Sequence, residues 1–351
     1  MSLLKFKNVG ISGISAAVPK NEIDNRYFSK LFSEEEIENT IKTTGIEKRR
    51  FADKNTCSSD LCATAAERLF DQMGIDKNSI DLLIFLSQTP DYRQPATAAV
   101  LQHRLGLAKT TGAFDINLAC SGYIYGLSTA YAYASQEGIN RVLLLVGETL
   151  SKIISKDDRA TSLLFGDGGT ATLIEKGDKY GESFFSLNTD GSGDWVLRIP
   201  AGCYRNPSTP ETLKVKKHED GSIRSEEHLF MDGMEVFNFT MREVPKDIKN
   251  VLSFSETDIA DINYIVFHQA NKFMTDFFAK KLKYTIDQVP YSLQKFGNTS
   301  AVSIPLTIVS ALPGTLMQGK KVILSGFGGG LSWGSALLNM GDVKVIELGE
   351  V

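Results

Sequence analysis

The chain has 351 residues, of which 42% are hydrophobic and 23% charged, and its formal net charge is −4. That composition is typical of a globular protein long enough for two domains, and it lacks the basic excess that nucleic-acid binding requires. The cysteines at 57, 62, 120 and 203 follow no metal-ligand spacing and are too few for a disulfide-stapled domain, so we expect reduced thiols and no metal.

The N-terminal segment and the apolar runs give no sign of a membrane protein. Lys5 and Lys7 interrupt the region that a signal peptide would need to be apolar. The densest apolar run, residues 142–146, is far too short to cross a bilayer. We therefore expect a cytoplasmic protein with no membrane segment.

Alternating strand and helix patterns fill the first half of the chain. Residues 81–87 and 141–147 are continuous apolar runs, which predict strands buried on both faces. Residues 96–105 and 122–136 predict helices, and the second, rich in small residues and tyrosine, is predicted to be buried nearly all round. Residues 163–175 predict two strands joined by a tight bend at the glycine-rich GDGG of 166–169.

The second half opens with a long polar segment and then repeats the alternation. Residues 188–228 are polar and rich in glycine and proline, which predicts an irregular excursion. The elements that follow are a helix at 235–252, a strand at 264–267, helices at 272–283 and 304–312, and strands at 321–325 and 335–340. The similar order predicts an α/β fold of two duplicated halves, residues 1–177 and 178–351.

Cys120 lies in the segment FDINLACSGYIYG, between an apolar strand and the following helix. Backbone N–H groups and the helix dipole at such a turn favour negative charge, which predicts a lowered thiol pKa and a nucleophile. The same turn leaves the Cys120 amide free to stabilise an oxyanion. A buried structural cysteine is the alternative, and we expect that role for Cys57, Cys62 and Cys203.

His268 and Asn298 are polar residues beside predicted strand and helix ends. A four-residue apolar strand delivers His268 to its carboxyl end, the edge where open α/β sheets gather ligands. Asn298 follows Gly297 and precedes Thr299 and Ser300. A lone histidine is more often a hydrogen-bonded structural group, and the local sequence of Asn298 favours a helix-capping role.

The glycines at 328–330 stand between two predicted strands. With no helix after them to hold a pyrophosphate, they do not form a dinucleotide-binding motif. They do allow close backbone approach to a ligand.

Taken together, these segments resemble the β-ketoacyl-acyl-carrier-protein synthase III family of the thiolase superfamily. The resemblance runs through nearly the whole chain in the family's order. Its segments are TTGIEKRRF at 43–51, the Cys120 segment, DRATSLLFGDGGTA at 158–171, HQAN at 268–271, FGNTSA at 296–301 and GFGGGLSWGS at 326–335. It implies a thiolase-like five-layer α-β-α-β-α sandwich with Cys120, His268 and Asn298 as the catalytic trio.

The resemblance also implies a reaction and its partners. Cys120 would take an acyl group from acyl-CoA and condense it with malonyl-acyl carrier protein, initiating fatty-acid biosynthesis without a cofactor in a cytoplasmic homodimer. The amides of Cys120 and Gly329 would form the oxyanion hole, and Phe327 would shield the thiol. Arg159 matches an arginine that contacts CoA. Lys272, Lys280 and Lys281 would offer a basic face to an acidic carrier protein, although a solvated lysine face is as common.

The chain departs from the family at four positions, one of which is Phe273, where the family often has an arginine that docks the carrier protein. Asn39 and Thr43 stand where well-studied members have a tryptophan and an arginine for CoA, and Gln94 replaces an aromatic residue at the acyl pocket. These changes predict weak use of acetyl-CoA. The alternatives are a same-fold enzyme of a specialised pathway, using a longer or carrier-bound acyl group, and a silent partner subunit, which would not need the trio.

Overall fold

The structure is a computed structural model that describes residues 2–351 and contains eight α-helices within that range. The strands are β1 (Ser2–Lys7), β2 (Val9–Val18), β3 (Glu22–Asp24), β4 (Lys48–Arg50), β5 (Leu82–Leu86), β6 (Gly112–Ile116), β7 (Arg141–Thr149), β8 (Asp167–Lys176), β9 (Glu182–Thr189), β10 (Leu197–Arg198), β11 (Lys216–Lys217), β12 (Ile223–Arg224), β13 (Phe230–Met231), β14 (Tyr264–Phe267), β15 (Lys321–Gly328), β16 (Ser332–Asn339), β17 (Lys344–Val345) and β18 (Gly349–Glu350). The helices are α1 (Glu34–Thr44), α2 (Ser58–Met73), α3 (Thr97–Arg104), α4 (Gly122–Ala134), α5 (Gly233–Phe254), α6 (Lys272–Leu282), α7 (Leu293–Phe296) and α8 (Ser303–Ala311). Short 3-10 helices occur at Asn25–Lys30, Lys77–Ser79, Leu150–Lys152, Gly191–Gly193, Ile259–Asp261, Ile286–Gln288 and Ser300–Val302.

Two mixed sheets form the frame of the molecule. The seven-stranded sheet has the order β17-β2-β8-β7-β5-β6, with β18 also paired to β2, and the five-stranded sheet has the order β1-β9-β16-β15-β14. Strands β5, β6 and β7 are parallel, as are β14 and β15. Cys120 lies in the segment that follows the carboxyl end of β6, and His268 lies in the segment that follows the carboxyl end of β14.

The sheets stack as the two β-layers of a five-layer sandwich. One core cluster joins both sheets to α4 and α8, which lie between them. A second cluster packs α2 and α3 on the outer face of the larger sheet, and a third packs α5 and α6 on the outer face of the smaller one. The predicted five-layer α/β fold is confirmed. Helix α4 is buried on most sides because it occupies the central layer.

Local sequence explains where the elements begin and end. Helix α1 starts at a capping box between Ser33 and Glu36 and ends at Gly45, which has a φ of 75°. Strands β5 and β7 are apolar throughout their centres because helices cover both faces of the sheet.

The predicted division at residue 177 falls between β8 and β9, which belong to different sheets. The two halves nevertheless exchange their ends. Strand β1 joins the smaller sheet, whereas β17 and β18 return to the larger one. The segment 188–228 is largely irregular, with only short strand pairs.

The prediction of two strands across residues 163–175 is wrong. Residues 167–176 form the single strand β8, and Gly169 pairs with Gly147 inside the sheet instead of forming a bend. Gly169 allows close packing against α2, because a Cβ at this position would lie 2.6 Å from the backbone nitrogen of Cys62. Strands β15 and β16 also extend closer to the glycine run than predicted. Within residues 2–351, no helix combines the length and the apolarity needed to cross a bilayer.

Candidate active site

Cys120, His268 and Asn298 line one cavity of about 220 Å³, although they come from distant parts of the chain. Cys120 follows β6, His268 follows β14, and Asn298 lies between α7 and α8. All three side chains are buried, with 5%, 1% and 7% of their surfaces exposed. The other lining residues are Thr44, Leu164, Phe165, Leu197, Met231, Gly233, Val236, Ala270, Asn271, Met274, Phe327 and Gly328.

Cys120 lies in the turn that leads into α4, as predicted from the sequence. The amide of Gly122 donates to the carbonyl of Ala119, so the turn around the thiol is already helical in character. The backbone of β15 passes directly over the sulfur. A Cβ at Gly328 would lie 2.8 Å from Cys120 Cβ and 3.0 Å from its Sγ, so only glycine fits there.

The expected lowering of the Cys120 pKa is wrong. Burial raises the pKa of the thiol to about 12, and a hydrogen bond from Ser300 opposes that effect. Desolvation therefore outweighs the favourable position at the helix start. All four cysteines are free. Burial also raises the pKa of Cys57 and Cys62, whereas Cys203 is exposed.

His268 is held by the first turn of α8. Its Nδ1 lies 2.8 Å from the hydroxyl of Ser303, which also accepts the amide hydrogen of Gln269. Nε2 is then the ring nitrogen left for the cavity. Burial lowers the pKa of His268 to about 3, opposed by a hydrogen bond to the backbone of Ser300. The imidazole is therefore neutral at physiological pH.

Asn298 is fixed by hydrogen bonds along both its backbone and its side chain. Its amide donates to the carbonyl of Leu164 at 2.9 Å, and its Oδ1 accepts the amide hydrogen of Ser300 at 2.9 Å. The Nδ2 branch remains as the donor. The buried Arg49 supports this loop from behind, because it donates to the carbonyl of Phe165 and packs against Gly297.

Of the two hairpin residues to which the family resemblance assigns a role, Phe327 lines the cavity and Gly329 does not. The Phe327 ring is buried, lines the cavity and packs edge-on against the His268 ring with centroids 5.3 Å apart. Gly329 is next to Ala119 and Leu197, whereas Gly328 is the glycine that lines the cavity beside Cys120. The oxyanion role of Gly329 and the shielding role of Phe327 stay predictions.

An apolar rim, defined by Met234, Phe237 and Phe273, adjoins the cavity. The rim forms a second depression that shares Gly233 and Asn271 with the cavity. The rings of Phe237 and Phe273 are 5.9 Å apart, and Met234 and Phe273 are largely exposed. A ligand that reaches the thiol from this side crosses an apolar edge.

The predicted CoA contact Arg159 lies outside the cavity, beside α1. Its guanidinium pairs with Glu36 and lies over the Phe32 ring. Asn39 and Thr43 are exposed on the same helix, and Thr43 belongs to the depression at the rim. Because Arg159 forms an ion pair with Glu36, less of the positive charge of Arg159 is available to bind a phosphate.

The predicted basic face on α6 is divided along the helix. Lys272 is paired with Asp276 near the cavity, whereas Lys280 and Lys281 are exposed at the far end. At 1.5 Å per residue, Lys281 is roughly 14 Å from Lys272 along the axis. Gln94 is exposed and does not line the cavity.

The sequence predicts no role for several polar residues that surround the trio. Ser303 contacts His268, Ser300 contacts Cys120, and Gln88 and Glu148 connect to Ser300. FGNTSA carried a signal for Ser300, since it lies two residues after Asn298. Nothing in the sequence linked Gln88 or Glu148 to it.

A buried thiol beside a neutral imidazole and an amide can perform acyl transfer. The thiol supplies a nucleophile for a thioester, and the two neutral donors can stabilise a developing oxyanion. Across residues 2–351, no group of three or more His, Cys, Asp and Glu side chains is arranged to hold a metal ion.

Comparison with known proteins gives matches over nearly the whole chain. The family described as 3-oxoacyl-[acyl-carrier-protein (ACP)] synthase III matches residues 114–193, and the model of its C-terminal part matches residues 252–340. A beta-ketoacyl-[acyl-carrier-protein] synthase III of Clostridium acetobutylicum is 38% identical over 95% of this chain and 99% of the relative.

Solved structures show the same similarity. A 3-oxoacyl-(acyl-carrier protein) synthase from Burkholderia xenovorans superposes with a TM-score of 0.93 at 39% identity, covering 100% of this chain and 99% of that one. A beta-ketoacyl-[acyl carrier protein] synthase III from Thermus thermophilus has a TM-score of 0.82 at 33% identity, covering 95% and 99%.

Proposed function

The chain belongs to the 3-oxoacyl-[acyl-carrier-protein] synthase III family, and on that premise we propose that it condenses an acyl-CoA primer with malonyl-acyl carrier protein. The enzyme is an acyltransferase that initiates fatty-acid biosynthesis. The observation that carries the residue assignment is the single cavity in which the thiol of Cys120, the neutral imidazole of His268 and the amide of Asn298 meet.

The first half-reaction transfers the acyl group to Cys120. The sulfur attacks the thioester carbonyl, a new C–S bond forms, and the bond to CoA breaks. The proton lost by the thiol ends on the CoA sulfur, so the step is a balanced thioester exchange. The backbone amides of Cys120 and Gly329 are proposed to stabilise the tetrahedral oxyanion. Gly328 favours this step because it leaves room beside the sulfur.

The second half-reaction forms the carbon–carbon bond. The malonyl thioester loses CO₂, and the electron pair of the broken bond becomes an enolate whose oxygen accepts from His268 Nε2 and Asn298 Nδ2. The enolate carbon attacks the acyl-cysteine and the Cys120 thiolate leaves. One proton from solvent restores the thiol. Neutral donors suit this step because the low pKa of His268 keeps the imidazole from carrying charge.

The substrates and the assembly are parts of the same proposal. The apolar rim can accommodate the pantetheine arm that CoA and carrier protein share, and the exposed Lys280 and Lys281 suit an acidic carrier protein. Strand β6 is the edge of the larger sheet, which can pair with a second copy to give the homodimer. We place the enzyme in the cytoplasm with its substrates.

Primer choice follows from the same residues. Asn39 cannot stack on adenine as an indole does, and Thr43 cannot pair with a phosphate as a guanidinium does, so acetyl-CoA should bind weakly. Steady-state assays with acetyl-, butyryl- and octanoyl-CoA, and with the same chains on carrier protein, measure this. Asn39→Trp combined with Thr43→Arg should lower the KM for acetyl-CoA, and tight, fast use of acetyl-CoA by the unmodified enzyme would contradict the expectation.

The function itself is tested by reconstitution. Purified protein, an acyl-CoA and malonyl-acyl carrier protein should give β-ketoacyl-carrier protein, CoA and CO₂ in equal amounts, detected by mass spectrometry. Cys120→Ala should form no ketoacyl product, whereas Cys203→Ala, at an exposed cysteine outside the cavity, should retain full activity. Absence of ketoacyl product with every primer tested would reject the proposal.

A further inference from the structure

Ser300 is the side chain that donates a hydrogen bond to the nucleophile. Its Oγ lies 3.4 Å from Cys120 Sγ, and the residue is buried. Its φ of 52° is in the left-handed region, which is uncommon for a residue with a Cβ. The amide of Ser300 donates to Asn298 Oδ1, so the trio's own asparagine helps to hold this conformation. Strained residues maintained by their surroundings are concentrated at functional sites.

A chain of hydrogen bonds sets the direction of the Ser300 hydroxyl. Gln88 Nε2 donates to Ser300 Oγ at 2.9 Å and to Glu148 Oε1 at 3.0 Å. Glu148 Oε1 accepts this hydrogen, so the amide branch facing Glu148 is the NH₂ group. Because that group supplies a hydrogen to Ser300 Oγ, the hydroxyl's own hydrogen is left for Cys120.

Glu148 is an anchor for this chain. It is fully buried at the end of β7. Its carboxyl group also accepts hydrogen bonds from the hydroxyl of Thr89 at 3.2 Å and from the backbone amide of Gln88. Burial raises the pKa of Glu148 to about 8, so most of the population is neutral near pH 7. The carbonyl oxygen of the neutral form can still accept from Gln88.

We propose that Ser300 stabilises the Cys120 thiolate by hydrogen-bond donation during acyl transfer, and that Gln88 and Glu148 are positioning residues that hold the hydroxyl in its donating orientation. The inference rests on the proposed role of Cys120 as the nucleophile. Burial of Cys120 removes the water molecules that would hydrate its thiolate. The hydroxyl of Ser300 replaces part of that hydration with a hydrogen bond.

Two effects of the network on the thiol oppose one another. The Ser300 hydrogen bond lowers the Cys120 pKa, whereas the charge of Glu148 raises it, and the hydrogen bond is the larger contribution. Replacing Glu148 would change both effects at once. Ser300 and Gln88 are therefore the informative positions, because their removal weakens donation without deleting a charge.

The test measures the pH dependence of Cys120 alkylation by iodoacetamide in the protein without added substrate, with the modified peptide quantified by mass spectrometry. A hydrogen bond to a charged group is worth enough to change the thiolate fraction at least about tenfold. Ser300→Ala should therefore slow alkylation at pH 8 by at least about tenfold and move the pH profile upward. Gln88→Leu should move it in the same direction by less.

Thr299→Val is the matched control, because the Thr299 hydroxyl is buried and has no hydrogen-bond partner within residues 2–351. It should leave the profile unchanged. Ser300→Gly serves if Ser300→Ala folds poorly, since glycine adopts the native φ and still lacks the hydroxyl. Alkylation of either Ser300 variant within about twofold of the unmodified protein would overturn the thiolate assignment, and a Gln88→Leu profile identical to the control would overturn the positioning role. Acylation of the unmodified protein by acyl-CoA tests the proposed function separately.

Discussion

Removing His268 or Asn298 should separate the two half-reactions. Both side chains are buried, with 1% and 7% of their surfaces exposed, so water cannot replace a lost donor efficiently. Deleting one preorganised oxyanion donor typically costs about 3–4 kcal/mol, or roughly 10²–10³ in rate. His268→Ala and Asn298→Ala should each slow malonyl decarboxylation by at least about a hundredfold. Neither should lose the ability to accept an acyl group on Cys120.

The two half-reactions have independent assays. Release of CO₂ from malonyl-acyl carrier protein labelled in the free carboxyl group reports decarboxylation, and the intact mass of the protein reports acylation. Asn298→Asp is the matched variant, because its carboxylate keeps an acceptor for the Ser300 amide but lacks the N–H donor. It should decarboxylate as slowly as Asn298→Ala. Circular dichroism checks that each variant is folded.

Two outcomes would contradict these roles of His268 and Asn298. Loss of acylation with decarboxylation retained would mean that the residues serve the first half-reaction. Decarboxylation by Asn298→Asp at the rate of the unmodified enzyme would show that shape, and not donation, is what the cavity requires at that position.

Substitutions at Gly328, Glu36 and His268 test other parts of the structure. Gly328→Ala should slow self-acylation at least tenfold in time-resolved mass spectrometry, because the new Cβ would lie 3.0 Å from Cys120 Sγ, and an unchanged rate in a folded variant would contradict this. Glu36→Gln should release Arg159 from its ion pair and lower the KM for acyl-CoA with kcat unchanged, so a rise in KM would count against the CoA role. Burial lowers the pKa of His268 from 6.5 to about 3. Between these two pH values the unfolded state binds a proton that the folded state does not. The free energy of unfolding should therefore fall as the pH drops, by up to about 1.4 kcal/mol per pH unit. Urea unfolding of His268→Gln should give a shallower slope there, and an identical slope would show that other groups dominate.

The sequence predicted those elements of the fold that have one strong local pattern, such as a continuous run of apolar residues. Strands β5, β7 and β14 are short apolar runs that match buried strands almost to the residue. The glycines of β8 led to the wrong prediction of a bend, because a glycine can occur either in a turn or at a close contact. Only the position of helix α2 shows that the glycine is needed for a close contact. The exchange of β1 and β17 between the sheets depends on long-range pairing, which local patterns do not encode.

The same limit applies to the site. The order of motifs was enough to predict that Cys120, His268 and Asn298 belong together, and they line one cavity. The Cys120 pKa was predicted with the wrong sign because the turn favours the thiolate, whereas the extent of burial was invisible in sequence. The role of Ser300 depends on its left-handed backbone and on Gln88, which is 212 residues away in the chain.

The central claim is that Cys120 is the nucleophile that carries the acyl group, and intact-protein mass spectrometry with a panel of acyl-CoA thioesters tests it most directly. The unmodified protein should gain one acyl mass per chain, peptide mapping should place it on Cys120, and Cys120→Ala should remain unmodified. An adduct that persists in Cys120→Ala on Cys57, Cys62 or Cys203, or the absence of any adduct across the panel, would contradict the account.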